Sequence, residues 1–231
     1  MNFNEFAPPV ERNTILNPKI WDSNRMKSEV RGALLRIAED FKNFLDVPVK
    51  VLDIVITGGN ANYNYTAKSD IDLHLIADYS EVSCDREVEE LFDTKRLLYK
   101  RDHDITIGNI PVELYVENHE QPAVSAGVYS ILHGRWLREP SADQPEYDQK
   151  EVEHMVGVWH AILKHATQTG DLQTCRNSVK LLRTYRKQGL AHSGEFSIPN
   201  LVYKSLRNDD TIKGITVLID RLHDQQLSLG N

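Results

Sequence analysis

Val55-Ile56-Thr57-Gly58-Gly59-Asn60 and, eleven residues after Gly59, Asp70-Ile71-Asp72-Leu73-His74-Leu75-Ile76 decide the reading of this chain. The first segment is a β-branched run that stops at a glycine pair, the pattern of a strand ending in a tight turn. Glycines there let backbone N–H groups approach an anion without interference from Cβ. The second segment reads as another strand. Alternation in a strand puts Asp70 and Asp72 on one face, with their carboxylates a few Å apart. Such a pair repels, and burying it uncompensated costs several kcal/mol. Ile71, Leu73, Leu75 and Ile76 nevertheless place the strand in or beside a core. A divalent cation resolves that conflict, since hard carboxylate oxygens suit Mg²⁺.

Working outward, Met26, Val30, Ala33, Leu34, Ile37, Ala38, Phe41, Phe44 and Leu45 recur at helical steps and predict an amphipathic helix from about Asn24. A second helix is expected over about Asp85 to Arg101. Asp104 to Ile107 and Val112 to Val116 read as a hairpin joined by Gly108-Asn109-Ile110-Pro111. That hairpin carries Glu113, a third carboxylate isolated in an apolar strand. Residues 1–23, with Pro8, Pro9 and Pro18 and little periodicity, read as an extended arm. After Pro122 the pattern predicts helices only: Val124 to Leu137, Glu151 to Thr167, Leu172 to Leu190, Ile198 to Arg207 and Thr211 to Leu227. The expected organisation is an N-terminal arm (1–23), a mixed-sheet core (24–121) and an all-α domain (122–231), an α+β class.

Thr57-Gly58-Gly59, Asp70-Ile71-Asp72 and Glu113, in that order and spacing, resemble the nucleotidyltransferase superfamily of DNA polymerase beta. Its pattern is an apolar residue before a glycine pair, an acid–apolar–acid strand, and a third acid on a later strand. Thr57 stands where the apolar residue is usual, and Thr66 and Ser69 match polar positions of many relatives. The resemblance covers about residues 24–118 and implies a nucleotidyltransferase core. It implies two Mg²⁺ ions, with Mn²⁺ as an alternative, held by Asp70, Asp72 and Glu113. It also implies a nucleoside triphosphate, ATP first among them, with its phosphates on Gly58, Gly59 and a helix starting near Asn60. Asn60, Lys68 and Ser69 would assist there. The implied acceptor is an RNA end such as tRNA, a protein hydroxyl or a small molecule. An inactive binding protein of the same fold and a cyclic-oligonucleotide synthase are the alternatives.

His74 shares the face of the two acids, either as a proton relay or as a structural histidine. The formal charge is −7, which excludes a protein that coats nucleic acid through bulk positive charge. The charge is uneven: residues 174–207 hold seven basic residues and one acid, Glu195. Arg176, Lys180, Arg183 and Lys187 fall on one helical stripe opposite Leu181, Leu182 and Tyr185, which reads as a phosphate-binding stripe or a solvated face. Trp136, Trp159 and Tyr203 are expected to pack the helical core. No stretch of ~18 apolar residues predicts a membrane span, and no basic-then-apolar leader opens the chain. Two cysteines make no disulfide framework, so a reducing, cytoplasmic setting is expected.

Overall fold

Trp21–Asp22 (β1) and Arg25–Met26 (β2) pair as a minimal antiparallel hairpin. It precedes α1 (Ser28–Leu45), whose Val30, Leu34, Ala38, Phe41 and Leu45 are buried, as the helical periodicity requires. The computed structural model describes residues 13–80, 85–120, 125–143 and 146–229. The chain divides into two compact units, Glu11–Asp143 and Gln144–Asn231, with the unit boundary past residue 121.

The first unit is built on a six-stranded mixed sheet. Its strands are β3 (Lys50–Thr57), β4 (Ile71–Asp78), β5 (Thr106–Ile107), β6 (Ile110–Asn118), β7 (Val128–Ser130) and β8 (Arg135–Arg138), in the order β5-β6-β4-β3-β7-β8. Only β4 and β6 run parallel, connected through α2 (Asp85–Asp102). Parallel neighbours need such a crossover, whereas β3 and β4 pair antiparallel. Ile71, Leu73, Leu75 and Ala77 of β4 are fully buried against a core that includes Leu34, Phe41, Phe92 and Tyr99. The opposite face of β4 carries Asp72 and His74.

Two expectations are corrected in this unit. The segment read as a helix from Val124 to Leu137 contains β7 and β8 within its described part. Tyr129 and Ser130 pair with Ile56 and Val55, so β7 covers backbone groups that would leave β3 as a bare edge. Gly134, at φ +67°, lies in the turn to β8. Trp136 stacks on Trp21 at 4.7 Å in the sheet unit and does not pack the helical core. The arm expected over 1–23 is built into the fold from Asn13 onward; its earlier residues lie outside the described ones. Leu16, Ile20 and Trp21 are buried, and the Trp21 indole N–H donates to the Asn60 carbonyl at 2.7 Å. These side chains insert one at a time, which leaves no period to read.

The second unit contains α3 (Gln149–Thr169), α4 (Leu172–Ser193), α5 (Ile198–Asn208) and α6 (Thr211–Leu227). Asp148 accepts from the Lys150 and Glu151 amides, and Asp171 from the Thr174 amide, giving α3 and α4 side-chain N-caps. Val156, Trp159, Leu163, Val179, Leu182, Leu201, Val202 and Leu206 form a separate core. Leu181, expected opposite the basic stripe with Leu182, is exposed, because at about 100° per residue it is turned to the solvent side of α4, away from both the buried face and the stripe.

Candidate functional site

Strand register assembles the three acids. Asp72 stands opposite Thr57 of β3 on one side and Glu113 of β6 on the other. Asp70 immediately precedes β4, one alternation away from Asp72. One carboxylate oxygen from each of Asp70, Asp72 and Glu113 lies within 4.8 Å of the others, and all three residues are half-buried. Mg²⁺ holds its oxygens at about 2.0–2.1 Å, so small side-chain rotations close this set around one ion.

Gly58 is fixed by two constraints. Its φ of +72° and ψ of −158° fall in a region essentially restricted to glycine. A Cβ on it would stand 2.0 Å from Asp72 Oδ2. The glycine turn therefore presses directly on the central carboxylate. Gly58 N–H donates to Ser125 Oγ at 3.3 Å, and that hydroxyl donates onward to the Gly127 carbonyl at 3.0 Å.

The helix expected to start near Asn60 is absent: Gly59–Ala61 forms a single 3₁₀ turn, after which Asn62 is extended. Asparagines explain the arrest, because their side chains bond local backbone in place of a helix. Asn62 Oδ1 accepts from the Tyr63 amide at 2.7 Å. Asn60 is completely buried; its amide donates to the Asp70 carbonyl at 2.7 Å, and its Oδ1 accepts from Asn17 at 2.7 Å. Its side chain thus holds the backbone that presents Asp70 and does not reach outward to a ligand. Ser69 is buried and accepts from the Thr66 amide at 2.9 Å, tight against Gly59. Lys68 is exposed in the turn before Asp70.

Around Glu113 the structure adds groups that sequence reading missed. The Lys100 ammonium of α2 bonds Glu113 Oε1, and the Tyr115 hydroxyl donates to Oε2 at 2.8 Å. Burial pushes the Glu113 carboxyl up, but the Lys100 and Tyr115 bonds outweigh it and hold the group below its ordinary value. Burial, with the charges of Asp72 and Glu113, drives the Tyr115 hydroxyl well above the ordinary tyrosine range. The Arg96 guanidinium lies 4.8 Å from the centre of the Tyr115 ring. His74 stacks on Tyr115 at 4.7 Å, lies 3.0 Å from Thr57 Oγ1, and places Nδ1 2.9 Å from Glu117. Its Nε2 is thus paired with Thr57 while its Nδ1 stands beside Glu117, and the neighbouring His74 holds the Glu117 carboxyl below its usual value. Arg96 and Lys100, one helical turn apart, were the available signal for a basic face beside an acidic strand. Ser125 had none, since only the folded chain brings it to Gly58.

Lys100→Gln should raise Mg²⁺ affinity roughly fivefold, the equivalent of about 1 kcal/mol for losing a largely exposed competing cation. It should also change the acid limb of stability. A carboxyl depressed in the folded state stabilises the protein above its unfolded value of about 4.3, and that contribution is lost as pH falls through the folded value. Without Lys100 the depression shrinks, so less stability is lost in that window. Urea unfolding of both proteins from neutral pH down to about pH 3 measures the difference. Superimposable curves, with equal Mg²⁺ affinity, would show that Lys100 is a bystander.

No family model matches this chain, and no curated protein matches it. Among solved structures it is similar to the STING-associated CdnE c-di-GMP synthase from Capnocytophaga granulosa. That match has 16% identity and a TM-score of 0.23, and covers 87% of this chain and 68% of that one. A superposition of that quality carries no argument about activity. Among the described residues no helix is long and apolar enough to cross a membrane.

Proposed function

We propose that this protein is a metal-dependent nucleotidyltransferase, moving a nucleoside monophosphate from a triphosphate, ATP first, to an acceptor hydroxyl with release of pyrophosphate. The observation that carries the reading is the convergence of Asp70, Asp72 and Glu113 within 4.8 Å, beside a glycine turn pressed onto Asp72. Three carboxylates are a hard donor set suited to Mg²⁺ or Mn²⁺. When bound, such ions stabilise the attacking and leaving oxygens of an in-line displacement. Asp70 and Asp72 would hold the ions through their paired carboxylates. Glu113 orients the acceptor oxygen and takes its proton as that oxygen bonds to the α-phosphorus and the bond to the β-phosphate oxygen breaks. The Gly58 and Gly59 amides face the triphosphate, Ser125 yielding its contact with Gly58. With no helix behind the turn, phosphate binding rests on these amides and on the exposed Lys68, while buried Ser69 supports the turn through its bond from the Thr66 amide. The acceptor is an RNA end, a protein or a small molecule, and a triphosphate-rich compartment such as the cytosol suits the reaction.

Thermal unfolding with each triphosphate, with and without Mg²⁺, is the direct test. A stabilisation that requires both is expected, about 2.7 kcal/mol at a hundredfold excess over Kd. Its absence for every triphosphate would reject the reading in favour of an inert relative of the fold. Label transfer from α-labelled triphosphates to tRNA or extract protein then identifies the acceptor. Glu113→Gln should lower single-turnover transfer by ~10²–10⁴-fold if Glu113 is a base, with partial rescue at higher pH. Rescue by Mn²⁺ instead would mark it as a metal ligand only. An unchanged rate would leave it as the structural partner of Lys100.

A further inference from the structure

The second unit contains a groove of about 420 Å³ between α4 and α6, lined by Arg176, Lys180, Arg183 and Lys187 with Val179 and Ile219. The four cations come entirely from α4 and are exposed. At 3.6 residues per turn they fall within an arc of about 60°, and at 1.5 Å per residue they extend over about 16 Å. None of the four takes part in an ion pair among the described residues. One acid, Asp220 of α6, lines the groove against them. Thr184 and Thr216 also line it, but their hydroxyls donate back to the Lys180 and Ile212 carbonyls, so the floor offers methyl groups and aliphatic carbon.

We propose that this groove binds the phosphate backbone of single-stranded nucleic acid. The length of the stripe favours a strand over a compact anion. Phosphates recur about every 3.4 Å along a stacked strand, so about 16 Å spans four or five of them. The groups of a single triphosphate could engage only adjacent members of such a row. The chemistry of the lining sets the character of the binding. Lysine and arginine contact phosphate, while the floor presents neither aromatic rings for base stacking nor free hydroxyls for reading base edges or a 2′-OH. Recognition is therefore by backbone, indifferent to base sequence and to RNA versus DNA. The net charge of −7 makes it local and weak, since the rest of the chain does not attract the strand.

Fluorescence anisotropy of labelled oligo(U) and oligo(dT), in EDTA so that the carboxylate site plays no part, tests this independently of the transferase reading. Both oligomers should bind, with log K falling against log salt at a slope of about −2.8 for four contacts at 0.7 each. K180E/R183E should weaken binding by at least about 30-fold with an unchanged circular-dichroism melt, since the slope loses half its contacts. Asp220→Asn should strengthen binding severalfold, a gain that misfolding cannot imitate. Asp70→Asn should bind as wild type. The proposal is overturned if neither oligomer binds at low salt, if the slope is shallower than about −1, or if K180E/R183E binds normally. It is equally overturned if inorganic tripolyphosphate displaces the oligomer at matched phosphate concentration, which would make the groove a compact-anion site.

Discussion

Asp72→Asn should abolish nucleotide transfer, by at least ~10³-fold, while leaving the metal-free protein as stable as wild type or more so. Asp72 is the shared element of the constellation: it faces Glu113 across one strand pair, Thr57 across the other, and Gly58 by direct packing. Amidation removes one of three carboxylates within 4.8 Å and one source of the field on Tyr115, so the apo site loses repulsion. The same change takes a charged ligand from the cation and drops its affinity. Mg²⁺ titration calorimetry and melts in EDTA separate the two effects. Transfer at a near-wild-type rate would show that the chemistry lies elsewhere, and a strongly lowered melt in EDTA would show that Asp72 acts mainly as a structural charge.

Gly58→Ala should cost about 3 kcal/mol of stability and eliminate Mg²⁺ binding, because two penalties act together. The backbone conformation is hostile to any side chain, and the new methyl would collide with Asp72 Oδ2 at 2.0 Å. The second penalty is separable. In the Gly58→Ala/Asp72→Ala double variant the collision disappears while the backbone strain persists, so the combined loss should fall short of the sum by about 1 kcal/mol or more. Additive losses in denaturant unfolding would mean that the turn moves away from Asp72 with ease, and the glycine would then be a matter of backbone conformation alone.

Most of the sheet that carries the acids was legible because its signals are local. The period of α1 and the alternation through Asp70-Ile71-Asp72 are written in consecutive residues. Glu113 could be placed on its strand for the same reason, and register then set it opposite Asp72. What escaped depends on distant partners. Residues 128–138 contain Val128, Tyr129, Ile131, Leu132, Trp136 and Leu137, enough apolar side chains to imitate a helix. Their strand state is decided by the open edge of β3, which no local pattern announces. Asn60, expected beside the phosphates, is buried through its bond to Asn17, a residue of the segment expected as an arm and 43 positions away. Lys100 lies on a basic face of α2 that the sequence shows, but its pairing with Glu113, thirteen residues on, is set only when α2 packs beside β6.

The parallel pairing of β4 with β6 governs the order in which the molecule comes together. Asp72 and Glu113 are 41 positions apart, and joining them closes a loop at an entropic cost of about 3 kcal/mol on the logarithmic term alone. Contacts of that separation are late and slow compared with the β3–β4 hairpin-like pair, which spans a short connection. The third carboxylate should therefore join the first two only after the crossover through α2 has formed. A slip of one residue in that step would set Val112 or Leu114 opposite Asp72 and turn Glu113 to the apolar face of the sheet. On the proposed metal-binding reading, metal affinity acquired during refolding should be a clock for the last strand and a readout of its register: a chain that has collapsed but paired wrongly retains its helices and cannot bring the three acids together.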